Sequence, residues 1–211
     1  MLKKISQLIK VIVEKLAIAF FFVAIVITLI NLVFKDTIDL CLSLLDKITI
    51  IEIENQDNSN IKFNETKKRL ETYPSYGSIW ASLSIPAIGV EASVYHGDTL
   101  DLIKYGIGHY SGSYFPGEGG SIIFSAHNSD EHFKKLPNLQ IGDKIYVNAV
   151  YGKYTYEVTN SDIIKATELA QYQVQDTVEE LIMYTCYPVD SFGYKTERYV
   201  IFAKLVGAEN E

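Results

Sequence analysis

Three side chains in this sequence are of types that could do chemistry together, and each sits at the edge of a short apolar run. Cys186 ends Leu181-Ile182-Met183-Tyr184-Thr185, Arg198 precedes Tyr199-Val200-Ile201-Phe202-Ala203, and His127 closes Ser121-Ile122-Ile123-Phe124-Ser125-Ala126. A thiol can attack a carbonyl carbon, an imidazole can shuttle an amine's proton, and a guanidinium can hold the oxyanion formed on the way. Runs of this length and composition are strand-like, so the three groups could converge at one end of a β-sheet.

Each residue has a plainer reading when taken alone. Free cysteine is among the most buried residue types, so a lone Cys at a strand end is most often a small core residue. Its company favours chemistry. A populated thiolate needs nearby positive charge, and Arg198, which cannot lose its proton, follows a turn-rich linker, Pro188-Val189-Asp190-Ser191-Phe192-Gly193. If the flanking runs pair as antiparallel strands, Cys186 and Arg198 share an end of the sheet. Of the four histidines, His96, His109, His127 and His132, it is His127 that leaves a very apolar strand for a polar loop, Asn128-Ser129-Asp130-Glu131. A ring there has the solvent access of a proton shuttle. His127, Asp130, Glu131 and His132 are also close enough in sequence to supply metal ligands. No HExxH or CxxC spacing accompanies them, and no metal site is expected. GxSxG and GxGxxG patterns are absent, and Gly117-Glu118-Gly119-Gly120 reads as a turn before a strand.

The elements that must position these groups are short strands broken by Gly, Pro and Asn. Ser78 to Ile85, Val90 to Tyr95, Ser121 to Ala126, Lys144 to Val150, Tyr154 to Asn160, Leu181 to Cys186 and Tyr199 to Val206 form the series. Seven or eight such strands predict an all-β barrel or sandwich, with helical interruptions near Thr99–Tyr105 and Asp130–Leu136. Upstream, Asn64 or Thr66 is expected to cap a helix running to Tyr73 and stopped by Pro74.

The N-terminal part has a different character. Leu16 to Phe34 contains 19 residues without a charge, and roughly 20 such residues cross a bilayer's hydrocarbon core. Lys3, Lys4, Lys10 and Lys15 precede the run while Asp36 and Asp39 follow it, which keeps the N-terminus cytoplasmic and exports the rest. The run lacks a small-x-small site at its end, so an uncleaved anchor is expected rather than a signal peptide. The resulting division is a cytoplasmic tail at 1–15, an anchor at 16–35, an extracellular stalk at 36–75, a catalytic domain at 76–206 and a tail at 207–211. The formal net charge is −7, and the +3 of residues 1–15 leaves −10 on the remainder. That excludes a nucleic-acid binder, whose affinity rests on basic patches. Cys41, the second cysteine, is read as incidental: a bond to Cys186 would staple a stalk to a distant strand end, and Leu40 is too large for a lipoprotein site.

Tyr184-Thr185-Cys186 followed by Arg198 on the next strand resembles the sortase signature. The segment Tyr114-Phe115-Pro116-Gly117-Glu118-Gly119-Gly120 leading to Ala126-His127 is similar to the one that ends in that family's catalytic His. Met183 stands where Leu is usual and Ala126 where Gly is common. The resemblance covers roughly Tyr76 to Val206. It implies a mostly β fold, an eight-stranded sortase-type barrel with a few short helices, preceded by the N-terminal transmembrane helix. It also implies a transpeptidase of a Gram-positive cell surface. Cys186 would attack after the Thr of an LPxTG-like sorting signal and form a thioacyl intermediate. His127 would move the protons, and Arg198 would hold the oxyanion. Ala126, Thr185, Ala166, Thr167, Glu168 and Leu169 would contact substrate. Partners would be sorting-signal-bearing surface proteins and an amine of a cell-wall precursor or another surface protein. No cofactor is implied; calcium serves some relatives through acidic loop residues, for which Asp130 and Glu131 are the candidates. Cys186-Tyr187-Pro188 together with His132-Phe133 looks most like class D. A cysteine protease without ligation and a non-catalytic extracellular β-barrel binding module are the alternatives.

Overall fold

The computed structural model describes residues 7, 9–26, 28, 60–171, 175–189 and 195–210. They fall into two units, Met1–Ile51 and Glu52–Glu211. In the first, residues 9–26 are helical, and Ile18, Phe20, Phe21 and Phe22 lie exposed on that helix. Among the described residues, no helix is long and apolar enough to cross a membrane. Residues 27 and 29–35 of the expected anchor, and residues 36–59 of the expected stalk with Cys41, lie outside the described residues.

The second unit opens with a small hairpin of β1 (Phe63–Asn64) and β2 (Arg69–Leu70) where a helix was expected. Asn64 does cap a backbone, but that of a turn. Its Oδ1 accepts the Lys67 N–H at 3.0 Å, its Nδ2 donates to Glu71 at 2.9 Å, and Lys68 adopts a positive φ of 46°. An Asn side chain bonded to its own neighbours competes with a helix in this way. Ile61 and Leu70 are buried in the barrel's core cluster, so this end of the segment read as stalk packs on the barrel.

Eight strands then close a barrel: β3 (Ile79–Ile85), β4 (Val90–His96), β5 (Ile107–His109), β6 (Ser121–Ser125), β7 (Lys144–Ala149), β8 (Gly152–Lys165), β9 (Glu180–Tyr187) and β10 (Glu197–Asn210). Around the barrel the order is β10-β8-β7-β3-β4-β5-β6-β9. The β4–β5 and β6–β9 pairs are parallel, and the remaining pairs are antiparallel. The expected helical interruptions are 3-10 turns, Leu102–Lys104 and Phe133–Asn138; two more lie at Pro86–Ile88 and Ala166–Gln171. β5, only three residues long, is too short to show a sequence period. β10 runs on through residues read as a C-terminal tail, where it pairs with the start of β8.

Alternation along the strands sorts their side chains into two apolar sets. Leu181, Met183, Ile201, Ala203, Ile122 and Phe124 join Trp80, Leu83, Tyr154 and Tyr156 in the barrel interior. Their neighbours of opposite parity, Ile182, Val200 and Phe202 with Ile164, form a second cluster on the outer face, to which Ile123, Leu169 and Tyr184 add. A sheet apolar on both faces expects something to cover the outer one, and here Leu169 of the Ala166–Gln171 turn begins to do so.

Candidate active site

Three strands side by side, β6, β9 and β10, position the candidate residues. Cys186 and Arg198 are direct cross-strand partners in the antiparallel β9–β10 ladder. On the other side of β9, the parallel ladder runs from Ser121↔Glu180 to Ser125↔Tyr184, a constant offset of 59 positions. The Ala126 carbonyl keeps that offset beyond the ladder by accepting the Thr185 hydroxyl at 3.0 Å. His127 follows Ala126 directly, one residue beyond that bond and two beyond the end of β6. Cys186 and Arg198 thus lie on neighbouring strands about 4.8 Å apart, and His127 leaves the end of the strand on the other side of β9. Cys186 and Arg198 share the parity of Tyr184, Ile182 and Val200, so these two groups belong to the outer face, at the end of the outer apolar cluster, and not to the interior.

Arg198 and the loop after His127 are each anchored. Arg198 is half-buried, and its Nη1 donates to the carbonyls of Lys195 (3.0 Å) and Glu197 (2.8 Å), which fixes the guanidinium against its own strand. The His127 carbonyl accepts the Phe133 N–H at 3.0 Å, and Asn128 Nδ2 donates to the Val189 carbonyl at 3.0 Å, tying the loop after His127 to the loop after Cys186. His132 is buried, and its Nδ1 shares a hydrogen bond of 2.8 Å with the Ser129 hydroxyl. Burial holds its pKa below the usual histidine value, and His127 adds to that, while Glu131 opposes it. Cys186 is a free thiol, neither buried nor fully exposed. Among the described residues, no group of three or more His, Cys, Asp or Glu is placed to hold a metal ion. Asp130 is instead paired with Lys134 at 3.1 Å.

The other candidate residues divide. Ala126 and Thr185 are buried, and they bond to each other across β6 and β9. Of the 166–169 group, Leu169 packs on the outer apolar cluster and Thr167 is exposed. Glu168 accepts the Lys165 N–H at 3.1 Å, and the Ala166 N–H donates to the Thr196 carbonyl at 2.7 Å. These bonds hold the turn beside β10 and on the flank of the Cys186 row. Tyr184 was not singled out by the sequence, although its place two residues before Cys186 put it on the same face. Burial raises its pKa first, and the Asp98 carboxylate adds to the rise; a hydrogen bond to the Ser125 side chain and the Arg198 charge oppose it, while Cys186 adds a further small rise. Tyr184 thus lies within electrostatic reach of Cys186, Arg198 and Asp98.

A thiol with a fixed cation opposite it on the next strand, above an apolar surface, can take an acyl group from a peptide and pass it on. Known proteins point the same way. The family model described as Sortase domain matches residues 83–206. Sortase D of Bacillus subtilis (strain 168) is 34% identical over 143 residues, covering 68% of this chain and 72% of that protein. The solved Sortase D5 transpeptidase of Clostridium perfringens is similar with a TM-score of 0.58 at 26% identity, over 64% of this chain and 83% of that one. Sortase C of Clostridium perfringens SM101 gives 0.55 at 25% identity, over 63% and 72%.

Proposed function

Since the chain belongs to the sortase family of cysteine transpeptidases, we propose that it cleaves an LPxTG-like sorting signal after Thr and joins the acyl group to an amine of a cell-wall precursor or another surface protein. The Cys186 thiolate attacks the Thr carbonyl carbon, and Arg198 holds the oxyanion of the tetrahedral intermediate. His127 gives a proton to the departing amine nitrogen as the C–N bond breaks, leaving a thioester on Cys186. The acceptor amine then attacks the same carbon. His127 takes a proton from its nitrogen, a new C–N bond forms, the C–S bond breaks and the thiolate returns. A thioester conserves acyl energy for aminolysis, dividing one hard step into two easier ones.

The observation that carries this reading is the pairing of Cys186 with Arg198 across β9 and β10, with His127 following the Ala126 that bonds Thr185. The apolar run at 16–34, preceded by lysines, supports a single membrane anchor with the catalytic domain outside the cell. Leu169 on the outer apolar cluster supports a wall for the signal's apolar side chains. The test is mass spectrometry of the protein with LPxTG-type peptides. A thioacyl adduct on Cys186 that an added amine converts to a ligated product is expected. Cys186→Ala should give no adduct, and a fully active variant would sink the reading. Cleavage that never yields ligation in the presence of amine would identify a protease instead.

A further inference from the structure

Below the Cys186–Arg198 pair lies a row of the same parity. Gly108, Ser125, Tyr184 and Val200 are successive cross-strand partners on β5, β6, β9 and β10. Gly108 has no side chain where one would stand on the outer face, and the chain uses the space. A Cβ built there would meet the Asp98 Cα at 2.8 Å, the Gly97 carbonyl oxygen at 2.9 Å and an Ile103 methyl at 2.7 Å. The segment after β4 therefore lies directly over β5, which brings Asp98 beside Ser125 and Tyr184. The influence of the Asp98 carboxylate on the Tyr184 hydroxyl places it there independently.

Asp98 is half-buried, and among the described residues it takes part in no ion pair. Partial desolvation raises its pKa, and a hydrogen bond from its own backbone opposes the rise. With one local donor and no cation, a half-buried carboxylate retains acceptor capacity for a charged or donating group. The flank matters too. Ile164 and Leu169 lie on the β10–β8 side of Cys186, whereas Asp98 lies on the β6–β5 side, the side of His127. An entering amine must approach the base that takes its proton, so the two substrates divide between the flanks.

Building on the transpeptidase reading, we infer that Asp98, with Ser125 and Tyr184, binds the cationic end of the amine acceptor and so selects acceptors that carry positive charge. Asp98 acts by binding alone. The acceptor nitrogen loses its first proton to solvent, attacks the thioester carbon and gives a second proton to His127 as Cys186 leaves. An acceptor bearing two amines can keep one ammonium at Asp98 while the other attacks.

The test compares 1,3-diaminopropane with hydroxylamine, which is uncharged at neutral pH, as acceptors for the acylated wild type, Asp98→Asn and Asp98→Glu. The readout is the ratio of kcat/KM for the diamine to that for hydroxylamine. Asp98→Asn should lower this ratio about tenfold, the scale of one charge-assisted contact, mostly through KM, and Asp98→Glu should recover part of it. Added salt should depress the wild-type ratio and leave that of Asp98→Asn nearly flat. An unchanged ratio, or an equal fall with both amines, overturns the inference while the transpeptidase reading stands. A wild type that ligates neither amine overturns both.

Discussion

Arg198→Lys keeps a positive charge opposite Cys186 but removes the planar fork that Lys195 and Glu197 hold in place. A lysine ammonium is a mobile point charge and cannot be fixed to two carbonyls while facing a third group. Losing a fixed oxyanion donor typically costs about 10²–10³ in rate. Steady-state transpeptidation by Arg198→Lys should therefore fall by roughly that factor in kcat, with the thermal midpoint little changed; a rate within threefold of wild type would argue against the oxyanion role. At this scale much was readable from the sequence. Cys186, His127 and Arg198 are rare or charged residues at the ends of apolar runs, and such residue types announce themselves. Asp98 did not, because nothing in Gly97-Asp98-Thr99 distinguishes it from any polar turn. Its significance comes from Gly108, ten residues further on, which lets the turn lie over the sheet.

Strand register is what brings the ends of three apolar runs to one end of the sheet. Parallel β6 and β9 are fixed at both ends by side chains. At the start, Glu179 accepts N–H bonds from Gly117 and Gly119 at 3.1 Å and the Tyr156 hydroxyl at 2.6 Å, pinning the turn before β6 to the residue before β9. At the far end, Thr185 bonds Ala126. Thr185→Val is nearly isosteric but leaves the buried Ala126 carbonyl without that donor. A cost of about 1–3 kcal/mol is expected, measurable by urea unfolding, with a larger fractional loss in acylation rate because His127 follows Ala126 directly. Stability lost with acylation unaffected would show that the bond serves the fold alone. Strand existence was legible from β-branched and aromatic runs. The hairpin at Phe63–Leu70 was not, since Asn64 signals a helix cap and an Asx turn equally well, and only the burial of Ile61 and Leu70 decides between them.

The barrel as a whole is sensitive to acid through a residue the chemistry does not use. His109 is fully buried, with Nε2 near the Tyr114 carbonyl (3.0 Å) and the Ser113 hydroxyl (2.9 Å), among Trp80, Phe115 and Phe124. Burial first, and then His96, lower its pKa from 6.5 to about 3. Unfolding frees the ring to protonate near 6.5, so the unfolded state binds more protons between these values, and stability falls as pH drops through that window. It is fully present above pH 6.5. The slope for one group is about 1.4 kcal/mol per pH unit, so roughly 2 kcal/mol should be lost between pH 6.5 and 5. His109→Gln, which retains a donor for Tyr114 but cannot titrate, should flatten that part of a urea-unfolding profile. An equally steep profile would assign the acid sensitivity elsewhere.

The sequence by itself determined the strand-like character of the domain, the residue types able to perform acyl transfer and the apolar run that an anchor requires. These are local properties, written in period, composition and spacing. Tertiary structure decided which face the groups share. A strand apolar at every position, such as Leu181 to Met183, shows no alternation, so nothing local says which parity turns inward. Barrel closure makes that choice: it draws Leu181, Met183 and Thr185 inside and leaves Ile182, Tyr184 and Cys186 on the outer face, between the Asp98 turn and Leu169. Two strands more than fifty residues apart in sequence, held at a constant offset by hydrogen bonds at either end, then bring the segments that lead into His127 and Cys186 side by side.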